Sequence, residues 1–145
     1  MIDPLEFPRL TSANYRVTSP PTSDYNCIAW SLGDSERWWQ AGQFWPFPVE
    51  GSDIGTLVRV FQHLEFEVCS DCDVENGYGK VALYAQGSVY THAARQLHSG
   101  KWTSKLGRLE DIEHDTPYDV AGGVYGEVTC FLRRWIGTER DRAAR

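Results

Sequence analysis

Nucleophilic catalysis needs a group that can lose a proton and a group that can take it, and Cys27 and His92 are the residues of this chain best placed for the two roles. Cys27 stands in the run Ser23-Asp24-Tyr25-Asn26-Cys27-Ile28-Ala29-Trp30. Ser23 or Asp24 is a good N-cap for a helix over Tyr25 to Leu32, with Gly33 as its left-handed stop. Cys27 then falls in the first helical turn, where unpaired backbone N–H groups and the positive end of the helix dipole favour thiolate over thiol. His92 lies between Tyr90-Thr91 and Ala93-Ala94, early in an expected strand whose small residues leave room beside the ring. An imidazole there could take the thiol proton and return it to a leaving group, which predicts a sulfur-to-nitrogen approach of about 4 Å. Taken singly, each residue has a plainer explanation, as a small buried thiol or a satisfied core histidine. Together they make an acyl-transfer pair.

Other residues suggest less. Cys69 and Cys72 form one CxxC, which is half of a zinc site, and no second CxxC or His pair follows. With Cys27 and Cys130 they are read as free thiols, because a domain of this size does not need disulfides. Trp38, Trp39 and Trp45 lie in a stretch too aromatic for a solvent loop and too proline-broken for a long element. They either wall a groove beside Cys27 or cover the core.

The elements that must position this chemistry follow from local patterns. Residues 1–22 carry four prolines and form an extended arm, docked by Phe7 and Tyr15. Ile54, Leu57, Val58, Phe61 and Leu64 recur at helical spacing over residues 53–65. Short strands are expected at 66–69, 80–85, 89–97, 101–106 and 126–135. His98-Ser99-Gly100 suits a three-residue hairpin loop closed by a left-handed glycine, which pairs Leu97 with Lys101 and so places Ala94 opposite Ser104. Ser104 then shares the face of His92, diagonally across; a two-residue loop would bring Thr103 and Lys105 there instead. Residues 107–123 read as an irregular acidic connection, and 137–145 as a frayed tail.

A helix opening with Cys, a helical region, then antiparallel strands with His on the second and a polar residue on the third resembles the papain-like cysteine hydrolase superfamily. The closest likeness is to its compact bacterial NlpC/P60 and CHAP branches. The matching residues are Asp24-Tyr25-Asn26-Cys27 and Thr91-His92-Ala93, over roughly residues 20–135. The stretches Tyr25 to Trp30, Thr91 to Gly107 and Glu110 to Asp115 also look like an uncharacterised bacterial family of this architecture. The resemblance implies an α+β fold with the nucleophile helix packed on a small antiparallel sheet of about four to five strands, within a single domain over 23–136. It implies a third residue that orients the imidazole. Ser104 is the first choice; Thr103, Lys105 and His114 stay open, the last beside Asp111 and Asp115. The glutamine that this superfamily carries upstream of Cys is absent, with Pro20 and Pro21 in that region, so the Asn26 side chain is the nearest second oxyanion donor after the backbone N–H of Cys27.

Composition bounds the partners. The 145 residues fit one domain, and a formal charge of −6 argues against phosphate neutralisation and hence against nucleic acid. No apolar run approaches the roughly 18 residues of a membrane span and the start has no signal-peptide pattern, so the expected location is the cytoplasm. The expected function is a cysteine-dependent amidase or peptidase acting on a peptide or amide-containing substrate without metal or organic cofactor. The rival is a catalytically inactive binding or immunity-type module on the same scaffold.

Overall fold

The computed structural model of the protein describes residues 2–40, 45 and 51–137. The aromatic, proline-broken stretch is thus described in part, and the tail expected to fray lies outside the described residues from 138 onward.

The chain folds as β1 (Tyr15–Ser19), α1 (Cys27–Ser31), α2 (Ile54–His63), β2 (Glu67–Cys69), β3 (Tyr78–Gln86), β4 (Val89–Gln96), β5 (Trp102–Lys105), β6 (Asp111–His114), a 3₁₀ turn (Pro117–Val120) and β7 (Glu127–Trp135). Seven strands form one sheet in the order β1-β6-β5-β4-β3-β7-β2, and every neighbouring pair is antiparallel. This overturns the expected papain-like α+β architecture with four or five strands, since the sheet is larger and the described residues form only two, short α-helices. The additional strands come from segments whose sequence hides them. The proline-bearing arm supplies β1, and the acidic connection supplies β6 against it, with Arg16 opposite Glu113. Their guanidinium and carboxylate meet at 3.0 Å.

Alternation along the central strands gives the sheet two apolar faces. Val81, Leu83, Ala93 and Leu132 pack on one face with Ile28 and Ala29 of α1 and with Leu57 and Phe61 of α2. Ala82, Tyr84, Ala94, Trp102 and Ile112 pack on the other, under Phe7 of the arm and Val120 and Ala121 at the end of the 3₁₀ turn. Helix α2 begins where expected, because the Asp53 side chain accepts from the N–H of Thr56 at 2.8 Å. The β4–β5 hairpin has the expected register: Leu97 N–H donates to Lys101 at 2.7 Å, Arg95 pairs with Thr103, and Gly100 takes a positive φ of 92°.

The arm and the segment before β7 hold each other. Val124 N–H donates to the Glu6 carbonyl at 3.1 Å, and Arg9 meets Glu127 at 3.2 Å. Gly123 makes this approach possible, since a Cβ at that position would overlap the Glu6 carbonyl oxygen. Among the described residues no helix is long and apolar enough to cross a membrane. Replacing Gly123→Ala is expected to destabilise the fold by about 1–3 kcal/mol, the range for forced overpacking. Urea unfolding measures this, and an unchanged midpoint would contradict the contact.

Candidate active site

The helix that carries the thiol starts later than Ser23 or Asp24 would have it. Asn26 is its N-cap, with its side-chain oxygen accepting from Ala29 N–H at 3.1 Å and from Trp39 N–H at 3.2 Å. Its amide nitrogen donates to the Trp39 carbonyl at 2.8 Å. One of the two amide hydrogens proposed for an oxyanion is therefore committed to tying residue 39 to the helix start. Cys27 becomes the first residue of a five-residue helix and is buried. Burial pushes its thiol up, outweighing the N–H groups of Ala93, Ile28 and Cys27 and the positive charge of Lys105, all of which favour the anion. The expectation of a resting thiolate is thus reversed.

On the opposite face lies a continuous buried row. His92 Nε2 and the Ser104 hydroxyl are 2.9 Å apart, Ser104 and His114 Nε2 are 2.8 Å apart, and His114 Nδ1 is 2.7 Å from the Thr116 carbonyl. His92, Ser104 and His114 have no exposed surface. Desolvation, then the neighbouring His114, holds the His92 pKa well below the usual imidazole value; desolvation also lowers that of His114. With both rings neutral, the proton positions follow from the partners. A carbonyl only accepts, so His114 Nδ1 carries the hydrogen and its Nε2 is bare. Ser104 must then donate to His114, and its remaining lone pairs accept from His92 Nε2–H. His92 Nδ1 is therefore the bare nitrogen of that ring, and it is buried without a hydrogen-bond partner.

The thiol faces the N–H of the residue after His92, and His92 Nδ1 makes no hydrogen bond with it. Ala93, whose N–H faces the Cys27 sulfur, packs in the cluster of Cys27. The His92 ring turns the other way. It meets Tyr84 edge-on at 4.9 Å between centroids and lies flat under Tyr125 at 3.9 Å, with the planes 7° apart. The expected close approach of sulfur and ring nitrogen does not appear as a hydrogen bond. Tyr125 is what the two residues share: it covers the imidazole, and the Cys27 sulfur is among the groups that, after burial, hold its phenol neutral.

The remaining candidates separate by strand parity. Thr103 and Lys105 face α1 rather than His92, which excludes both as orienters of the imidazole. Thr103 accepts from Trp30 Nε1 at 2.9 Å. Lys105 is fully buried, donates to the carbonyls of Gly107 and Leu109, and lies 5.4 Å from the centre of the Tyr25 ring. Burial lowers its pKa against the raising pull of Asp111, Cys27 and Glu110. Asp111, opposite Lys105 in the sheet, accepts from Tyr25 Oη at 2.5 Å, and the phenol is pushed up to about 12 by burial and that bond.

Of the three tryptophans proposed as a groove wall, Trp39 is buried in the Cys27 cluster and Trp45 packs against it. Trp38 lies under Arg108 at 5.2 Å. Cys69, Cys72 and Cys130 are free thiols like Cys27, and among the described residues no group of three or more His, Cys, Asp or Glu side chains could hold a metal ion. Tyr84 and Tyr125 are the site residues that the sequence left unmarked. Tyr84 reads only as a strand aromatic, and Tyr125 lies in a glycine-punctuated run.

A family model described as "Domain of unknown function (DUF7689)" matches residues 16–133. The chain belongs to that family. The match takes in β1 through most of β7, so it includes Cys27, His92, Ser104 and His114. No curated protein and no solved structure matches the chain.

Two outcomes test the row. Nitrogen-15 NMR should find His92 as the Nε2–H tautomer and His114 as the Nδ1–H tautomer at neutral pH; the reverse pair would break the donor sequence. Because both folded-state pKa values lie below the unfolded value of about 6.5, the unfolded chain binds more protons as pH falls, so stability is lost below that value. The slope is about 1.4 kcal/mol per pH unit for each histidine. In His92→Gln, urea unfolding between pH 7 and 5.5 should show roughly half the slope of the parent.

Proposed function

We propose that this protein is a cysteine-dependent hydrolase of the amidase or peptidase type, with Cys27 as nucleophile and His92 as its base. The observation that carries this reading is the bare, unpartnered Nδ1 of His92, held in that tautomer by Ser104 and His114, one residue along β4 from the N–H that faces the Cys27 sulfur. An unsatisfied buried nitrogen costs stability and is explained if it accepts a proton during a reaction.

The thiol proton passes to His92 Nδ1 while sulfur bonds to the carbonyl carbon. The carbon–nitrogen bond then breaks and Nδ1–H returns its proton to the leaving amine. Water, deprotonated by the same nitrogen, releases the acyl group and restores the thiol. Ser104 and His114 are positioning residues, and the Cys27 N–H with the uncommitted Asn26 amide hydrogen supplies the oxyanion donors. Access requires Tyr125 to lift from His92, and the proton transfer requires the Cys27 sulfur and His92 Nδ1, which are not bonded at rest, to close to about 4 Å. The substrate class is a peptide or other amide, with no role for nucleic acid or membrane, and the working location is the cytoplasm, in keeping with four free thiols.

The complete burial of His92, Ser104 and His114 favours a second reading, a catalytically inactive binding or immunity-type module in which the row is structural.

Acylation by p-nitrophenyl acetate, read as release of p-nitrophenol and by mass spectrometry, separates the two. The hydrolase should be acylated at Cys27 in the native state, faster than at Cys130, and His92→Ala should slow that reaction about tenfold or more at pH 7. Ser104→Ala should slow it less. A Cys27 that reacts only on unfolding and ignores His92→Ala would leave the binding-module reading.

A further inference from the structure

A cavity of about 580 Å³ opens at the far end of α1 from Cys27, between Leu32, the turn at 74–79 and the ends of β3 and β4. Its size suits a small organic ligand. Phe66, Val74, Leu97 and Ile136 give it an apolar wall. Of its charged lining residues, Lys80 and Glu75 pair with each other, and two guanidinium groups remain with different commitments. Arg134 donates to the Leu64 carbonyl at 3.3 Å and lies over the Phe66 ring at 4.6 Å. Arg95 makes no hydrogen bond or ion pair with any described residue, and its Nε is buried without a partner.

Arg95 is nonetheless held in place. Its guanidinium lies 5.1 Å above the Trp30 ring, and Trp30 is itself fixed by its bond to Thr103. Burial lowers its pKa, and Asp111 is the carboxylate that acts against this without forming an ion pair. The other cation of the cavity, Lys80, is neutralised by Asp71 at 2.8 Å and Glu75 at 2.9 Å. Arg95 is thus a stacked, pre-positioned fork of donors that lines an apolar-walled cavity, and such a fork binds a carboxylate in two parallel hydrogen bonds.

We propose that this cavity binds a monocarboxylate with an apolar body, Arg95 taking the carboxylate, Arg134 adding charge and the Phe66–Leu97 wall taking the body. The same chemistry is presented by a peptide C-terminus ending in an apolar residue and by a free organic acid. The inference does not depend on the reactivity of Cys27.

The test uses the intact protein and three probes: N-acetyl-leucine, its amide N-acetyl-leucinamide, and 4-methylpentanoate. Binding is followed by ¹H–¹⁵N NMR shifts of Val81, Gln96 and Leu97. N-acetyl-leucine should shift these residues saturably, with the amide at least about tenfold weaker and Arg95→Gln weakened by a similar factor. Binding of N-acetyl-leucine well above 4-methylpentanoate marks the peptide C-terminus as the source, and the converse marks a free acid. Equal binding of acid and amide, or no saturable shift at these residues, overturns the proposal. If Arg95→Gln fails to fold, the acid and amide on the parent protein still decide it. Cys27→Ala should bind as the parent does, which keeps failure here distinct from failure of the hydrolase reading.

Discussion

The row from His92 through Ser104 and His114 to Thr116 constrains the molecule more than any other interaction. It joins three adjacent strands through side chains with no access to water, so each of its hydrogens must have an acceptor, and His92 Nδ1 alone in the row is left without a hydrogen. One serine hydroxyl between two imidazoles satisfies this only while His114 is neutral. A proton added to His114 Nε2 would leave Ser104 facing two donors with nowhere to send its own. The row therefore fixes the register of β4, β5 and β6, the tautomer of both histidines and the pH range over which that face is stable.

Strand parity then assigns the other face. Since Ser104 points toward the histidines, Thr103 and Lys105 must point toward α1, where Thr103 receives the Trp30 indole and Lys105 comes within electrostatic reach of Cys27. Asp111, opposite Lys105, is drawn to the same face and anchors Tyr25 just ahead of the helix. The helix carrying the thiol is thus seated by residues whose direction is set by the row behind them. One register decides both faces, and a slip of one residue would exchange them.

This explains what could be read in advance. The β4–β5 register was legible because a glycine-closed loop has few geometries, and His92 with Ser104 followed from it. His114 was only one of several possible helpers, because Asp111 to Asp115 reads as a solvated acidic run. In the sheet, Glu113 faces outward to Arg16 while Ile112 and His114 face inward, a two-residue alternation too short to stand out against the charges. The arm's strand was hidden for the same reason by its flanking prolines. With β1 and β6 unseen, the sheet looked too small and the helices too important, and the fold class was misread. Tyr125 could not be found at all: its position over His92 depends on the Gly123 contact with Glu6, a backbone approach between residues more than a hundred positions apart.

The same geometry settles how the thiol differs from its first reading. A cysteine opening a helix is expected to ionise, but five residues make a small dipole, and removing the sulfur from water costs more than the nearby N–H groups return. Burial acts on His92 in the matching sense, favouring imidazole over imidazolium. Thiol and ring are therefore both neutral at rest, and desolvation disfavours an ion pair between them. On the hydrolase reading, a carbonyl carbon beside the sulfur changes that balance, because the negative charge then moves onto the substrate oxygen while only His92 becomes cationic. On that reading the proton moves when substrate is bound, and the neutral row behind His92 keeps its receiving nitrogen bare until then.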